Sequence, residues 1–293
     1  MKEVVILSGK GGTGKTCIGA CFAALGHNKV MADADVDAAN LYILLKPTIR
    51  SQESFSGGYT AFIDKEKCIA CDECLNLCRY HAIDSDYVVD PVDCEGCGVC
   101  AHFCPAEAIE MRENMSGEWF ISDTAYGPFV HAKLGIAEEN SGKLVTVVRH
   151  NARLIAEDKG LDLIIIDGPP GIGCPVISAV TGTDLVLIVT EPTLSGLHDM
   201  QRVAELAKHF SIPAVACINK HDLNPEMSDR IQEYCKETGV RLLGMIPYDP
   251  IVSKALVERR IIVEYSNGRV SDEIEKIWLS LAELLGVDGK GNG

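Results

Sequence analysis

Aromatic residues are scarce in this chain, 6% of 293 residues with two tryptophans, and Lys and Arg together number 27 against 42 Asp and Glu. With so few aromatics beside an apolar share of 47% and 27 glycines, the composition fits a sheet-and-helix enzyme with functional glycine loops better than a β-sandwich or a disordered chain. The shortage of base leaves a formal charge of −15 and a pI near 4.9. That balance argues against a broad grip on phosphate backbones, so no nucleic-acid partner is expected. No run reaches the roughly 18 consecutive apolar residues of a membrane span. The opening MKEVVILSGKGG leads straight into loop chemistry, without room for a signal peptide. A cytoplasmic protein with no stable membrane anchor is the expectation.

Cysteine is abundant, with 13 residues, of which eight fall between Cys68 and Cys104. Without a secretory signal, that density reads as metal ligation rather than disulfides. Cys68-x₂-Cys71-x₂-Cys74-x₃-Cys78 is followed by Cys94-x₂-Cys97-x₂-Cys100-x₃-Cys104-Pro105, and each run leads to an Ala-Ile pair. Doubled in this way, the spacing is that of two [4Fe–4S] clusters: three thiolates of each loop hold one cluster and the fourth reaches the other. The expected ligand sets are Cys68, Cys71, Cys74 and Cys104 for one, and Cys94, Cys97, Cys100 and Cys78 for the second. Arg79 stands where the second copy has Pro105. A Cys₄ zinc site is the competing reading of any CxxC pair.

Elsewhere, apolar strands alternate with helical patterns, as at Glu3–Ser8, Lys29–Ala32, Asp162–Ile166, Leu185–Val189, Ala214–Ile218 and Leu242–Ile246. That rhythm predicts an α/β fold with a mainly parallel, doubly wound sheet. It stops near Ser51 and resumes after Met115, so the expected organisation is a discontinuous domain, 1–57 and 117–293, with an insert at 58–116. Trp119–Ser122 and Leu144–Val148 read as strands, with a hairpin or arm around Tyr126–Leu134, and Asn151–Glu157 as a helix.

Gly9-Lys10-Gly11-Gly12-Thr13-Gly14-Lys15-Thr16 lies between a strand and a helix, where backbone N–H groups and glycines cradle phosphates. Lys15 would reach the β- and γ-phosphates of ATP, and Thr16 would ligate Mg²⁺. The additional Lys10 makes the motif resemble the deviant Walker A of the MinD/Mrp/ParA and nitrogenase-iron-protein superfamily. That resemblance implies a dimer, of two identical chains or of the chain and a paralogue, sandwiching ATP, with Lys10 crossing to the partner's phosphates.

Further resemblances extend it. Asp33-Ala-Asp35 is similar to the family's switch I, with Asp35 positioning water and the metal shell. Asp167-Gly-Pro-Pro-Gly-Ile-Gly resembles Walker B and switch II, with Asp167 holding a magnesium-bound water. Asn219 and Pro247 resemble base-side positions, and Cys17 completes the implied ATP contacts. Cys174 falls where the nitrogenase iron protein has a bridging cysteine, which marks it as an interface thiol. The insert resembles a two-cluster ferredoxin domain.

The reading implied is a slow, Mg-dependent ATPase coupling nucleotide state to electron transfer toward a redox or metallocluster protein. Its alternative is a cluster-assembly or carrier ATPase like Mrp, although no C-terminal CPxC is present. A positioning ATPase of the MinD or ParA kind ranks below both, because Glu273–Leu285 is apolar with net negative charge and suits a core-packing helix better than a membrane-targeting one.

Overall fold

The computed structural model describes residues 1–135 and 141–289. Numbered in chain order, the strands are β1 (Lys2–Ser8), β2 (Lys29–Asp33), β3 (Thr48–Ile63), β4 (Ile109–Thr124), β5 (Gly127–Leu134), β6 (Leu163–Pro170), β7 (Leu185–Thr190), β8 (Ala214–Asn219) and β9 (Arg241–Ile246). The helices are α1 (Lys15–Leu25), α2 (Leu41–Leu45), α3 (Glu73–Leu77), α4 (Val99–His102), α5 (Ser141–Lys159), α6 (Cys174–Val180), α7 (Leu194–His209), α8 (Pro225–Thr238), α9 (Pro250–Val257), α10 (Ile262–Tyr265) and α11 (Arg269–Leu285).

The chain divides into two compact units. One comprises Met1–Gln52, Trp119–Lys133 and the chain from Ser141 onward; the other is built on Glu53–Glu118. In the first, strands β5-β2-β6-β1-β7-β8-β9 lie in that order, and every neighbouring pair is parallel. Their central runs, such as Val4–Leu7, Ile164–Ile166 and Val186–Val189, are fully buried, because helices cover both faces of such a sheet. Strand order reverses on either side of β1, so the loop after β1 opens into the crevice where α/β sheets place their ligands. Helix α11 buries Ile274, Ile277, Trp278 and Leu281, with the Trp278 ring 5.3 Å from Phe22 of α1. Among the described residues, no helix is long and apolar enough to cross a membrane.

One assignment needs correction. Leu144–Val148 is not a strand: it forms the first turns of α5, whose buried Leu144, Val145, Val148, Arg149, Ala152 and Ala156 make one helical stripe. The β-branched run suggested strand locally, and packing of that stripe overrides propensity. Of the hairpin or arm expected around Tyr126–Leu134, the structure has the hairpin: β4 and β5 are neighbouring strands joined at residues 125–126. After a turn in which Thr124 Oγ1 accepts from the Tyr126 N–H at 3.0 Å, the chain enters β5, which pairs with β2 and buries Phe129–Ala132.

His131 of β5 lies among the rings of Phe120, Phe129 and Tyr42, its Nε2 3.1 Å from Ser122 Oγ. Burial lowers its pKa from 6.5 to about 4. The unfolded chain therefore takes up a proton first as pH falls, and stability is lost from 6.5 down toward about 4. The gap is worth about 3 kcal/mol. His131→Gln is expected to flatten that acid limb, seen as a smaller difference in urea-unfolding free energy between pH 6.5 and 4.5. An unchanged limb would place the acid sensitivity elsewhere.

The second unit repeats itself at an offset of 26 residues (94 − 68), and the backbone repeats with it. Left-handed φ angles occur at Ala70 (52°) and Gly96 (63°), Asp72 (59°) and Gly98 (74°), and His81 (54°) and Glu107 (49°). The second copy meets the first two of these bends with glycine, which has no Cβ to clash, while the first holds Ala70 and Asp72 in the same conformation. Gly96 is also sterically confined, since a Cβ there would sit 2.1 Å from the Tyr59 carbonyl oxygen. Ile63, Cys74 and Ile83 form this unit's small core.

Candidate functional site

Strand β1 ends at Ser8 and α1 begins at Lys15, so residues 9–14 form the intervening loop. Gly14 precedes the helix at φ 89°, and the first N–H groups of α1 lack intrahelical acceptors. The loop is fixed from two sides. Asn219 at the end of β8 donates its Nδ2 to the Thr13 carbonyl at 2.8 Å, and a Cβ on Gly14 would fall 2.4 Å from that nitrogen. A Cβ on Gly9 would fall 2.0 Å from Asp199 Cβ of α7. Asp199 was not singled out in the sequence, because a close approach across so many positions leaves no local pattern.

Parallel pairing of β2 with β6 sets Asp33 beside Asp167 at the strand ends. Lys15 reaches into this acidic corner, with Nζ 2.8 Å from Asp167 Oδ1 and 3.7 Å from Asp35 Oδ2. Burial opposes the Lys15 charge, yet Asp167, Asp35 and Asp33 together hold its pKa above the ordinary lysine value. Burial raises Asp35 against the pull of Lys15, and burial followed by the neighbouring Asp167 charge raises Asp33 well above the usual carboxylate range. Asp33 also orders the loop, accepting from the N–H groups of Asp35 at 3.1 Å and Leu41 at 3.2 Å.

Asp167 Oδ2 at this corner and Thr13 Oγ1 of the loop are buried without a hydrogen-bond partner. A buried carboxylate oxygen left in that state is chemically suited to a water or hard cation. Thr16, Asp35 and Asp167 could hold Mg²⁺, which would supply charge neutralisation at phosphate oxygens. Lys10 instead donates to Ser195 Oγ at 3.2 Å, at the start of α7. Ser195 carries no local sequence motif that would mark it, and only the fold brings it against Lys10.

Beside the phosphate loop lies a cavity of about 160 Å³, lined by Gly12, Cys17, Asn219, Lys220, Pro247 and Tyr248 among others. It brings together the three residues expected on the ATP base side or against the nucleotide, Cys17, Asn219 and Pro247. Lys220 is tethered there by Glu191 at 2.6 Å. Cys21 is fully buried and hydrogen bonds Cys17, lowering the Cys17 thiol pKa. Cys174 is exposed at the start of α6.

In the second unit, the eight motif cysteines line two separate cavities. One is walled by Cys68, Cys71, Cys74 and Cys104, the other by Cys78, Cys94, Cys97 and Cys100. Each cavity thus takes three thiols from one copy of the repeat and one from the other. Among the described residues, no three His, Cys, Asp or Glu side chains converge closely enough to hold a single metal ion.

Comparison with known proteins places this geometry. A family model described as the CobQ/CobB/MinD/ParA nucleotide binding domain matches residues 4–262. An uncharacterized protein of Methanocaldococcus jannaschii is 32% identical over 287 residues, 97% of each chain. The PorD subunit of pyruvate synthase from Methanothermobacter marburgensis is 45% identical over 54 residues, 18% of this chain and 67% of that one. The septum site-determining protein MinD of Pyrococcus horikoshii, solved with Mg-ADP, superposes with a TM-score of 0.58 at 20% identity over 97% of both chains, a likeness of fold. Since the family model spans the phosphate loop, the acidic corner and the strands that carry them, the chain belongs to the CobQ/CobB/MinD/ParA nucleotide-binding family.

Proposed function

We propose that this ATPase of the MinD/ParA type is a dimer that couples its nucleotide state to electron passage through two [4Fe–4S] clusters. One cluster is held by Cys68, Cys71, Cys74 and Cys104, the other by Cys78, Cys94, Cys97 and Cys100. The observation that carries the reading is the crossed division of eight thiols between two cavities, the arrangement that two-cluster ferredoxin spacing requires. A cubane is gripped at its outer corners, so its ligands need not converge as those of one zinc ion must. The 54-residue match to a pyruvate synthase subunit is in keeping with a redox partner.

At the nucleotide site, the loop N–H groups and Lys15 bind the phosphates. Thr16, Asp35 and Asp167 would hold Mg²⁺, which would neutralise charge on the phosphate oxygens, and Asp35 would orient water for in-line attack. Binding nucleotide requires Lys15 to exchange its carboxylate partners for phosphate oxygens. Lys10, released from Ser195, reaches across the dimer to the partner's phosphates.

The test is anaerobic reconstitution, with iron and sulfide counted, followed by EPR-monitored redox titration and gel filtration with and without MgATP. Two [4Fe–4S]⁺ signals whose potentials move with nucleotide, together with nucleotide-driven dimerisation, are expected. Clusters indifferent to nucleotide that pass their iron to an apo-acceptor would replace electron transfer with a cluster-carrier role.

A further inference from the structure

The repeat that builds the two cysteine cavities does not give them equal charge, and on the cluster reading above this has a direction. Asp72 and Glu73 line the cavity of Cys68, Cys71, Cys74 and Cys104. Their counterparts 26 positions on are Gly98 and Val99, and Glu95 is the carboxylate lining the other cavity. Asp72 is held at the rim, where its Oδ1 accepts from the Tyr87 hydroxyl at 2.6 Å, and Tyr87 lines the same cavity. Outside the cavity linings the flanking charges oppose one another: Arg79 follows Cys78 where Pro105 follows Cys104, but Lys67, paired with Asp64 at 3.7 Å, precedes Cys68 where Asp93 precedes Cys94.

Hydrogen bonds to sulfur work against this asymmetry. The Ala108 N–H donates to Cys104 Sγ at 3.3 Å, which favours the electron-richer state of the first cavity. A neutral hydrogen bond to sulfur is weaker than the interaction with an added carboxylate at the rim. Negative charge near a cluster disfavours adding an electron, so its reduction potential falls.

We infer that the cluster held by Cys68, Cys71, Cys74 and Cys104 has the lower reduction potential of the pair, and that Asp72 is the residue chiefly responsible. A single added electron then resides on the cluster of Cys78, Cys94, Cys97 and Cys100.

The backbone permits a reciprocal test. Asp72 (φ 59°) and Gly98 (φ 74°) share the left-handed conformation, which glycine adopts freely and aspartate tolerates. A Cβ on Gly98 would meet nothing within 4 Å. Asp72→Gly, Gly98→Asp and the double exchange are therefore all compatible with the fold.

Each full-length variant is reconstituted, its iron and acid-labile sulfide counted, and both couples followed by EPR redox titration. Asp72→Gly is expected to raise the lower midpoint alone, increasing the reduced-to-oxidised ratio of that cluster at fixed poise about tenfold, or about 59 mV for one electron. Gly98→Asp is expected to lower the higher midpoint, and the double exchange to close or invert the gap. Tyr87→Phe, which keeps the carboxylate charge, should move the lower midpoint less than Asp72→Gly does. Couples that shift together, fail to shift, or respond at the higher midpoint to Asp72→Gly overturn the inference. Iron and sulfide well short of two cubanes would overturn the cluster reading itself, and the count reveals that before any titration.

Discussion

Lys15→Ala should lose ATP hydrolysis by a factor on the order of 10² or more, since removing one preorganised donor at developing charge already costs that much. It should also unfold more easily without nucleotide. Lys15 is the cation within 3.7 Å of both Asp35 and Asp167, in a corner that also holds the fully buried Asp33. Its removal leaves buried carboxylates uncompensated, at about 3 kcal/mol or more. In a chain of this size that lowers Tm by roughly 6–12 °C. Added Mg²⁺ should then raise the Tm of the variant more than that of the unaltered protein, because a cation can take the place of the ammonium group. Thermal melts with and without Mg²⁺ check this. A variant that melts like the parent would mean the acidic corner does not depend on Lys15.

Arg149→Ala is expected to cost about 3 kcal/mol in urea unfolding, with nucleotide affinity per folded molecule unchanged. Arg149 donates to Glu3 Oε2 at 2.7 Å and to the carbonyls of Ser178 at 2.6 Å and Thr181 at 2.8 Å. It therefore ties the start of β1 to α5 and to the C-terminal end of α6, where a cation satisfies carbonyls that the helix itself cannot. Arg153 also pairs with Glu3, so the carboxylate is not left wholly alone. The orphaned carbonyls and the lost fork remain. Arg149→Lys should recover part of the loss, because a point charge cannot span three acceptors in the same geometry. A loss below about 1 kcal/mol for Arg149→Ala would show that Arg153 alone suffices.

The nucleotide loop and the cysteine runs were legible because their chemistry is written in consecutive residues. The same holds for the alternating rhythm that announced the parallel sheet. What stayed hidden depends on distant residues meeting. Glu3 opens an apolar strand and looks like a solvated end until Arg149 arrives from 146 positions away. Ser195 gave no motif, and its importance comes from Lys10 lying against it. Leu144–Val148 carried a true local preference that a helical stripe outweighed. The left-handed bends at Ala70 and Asp72 had no glycine to betray them, and only their alignment with Gly96 and Gly98 in the second copy makes them interpretable.

The crossed walls of the two cysteine cavities make the repeat indivisible. Although the sequence presents two tandem modules, cutting the chain between Asp84 and Cys94 would leave each fragment with three-quarters of one cavity's thiols and one stray thiol of the other. Damage at Cys78 would be felt in the cavity built by the second motif, and damage at Cys104 in that built by the first. A lineage that duplicated one such motif and exchanged the fourth cysteine could no longer lose either copy without dismantling both.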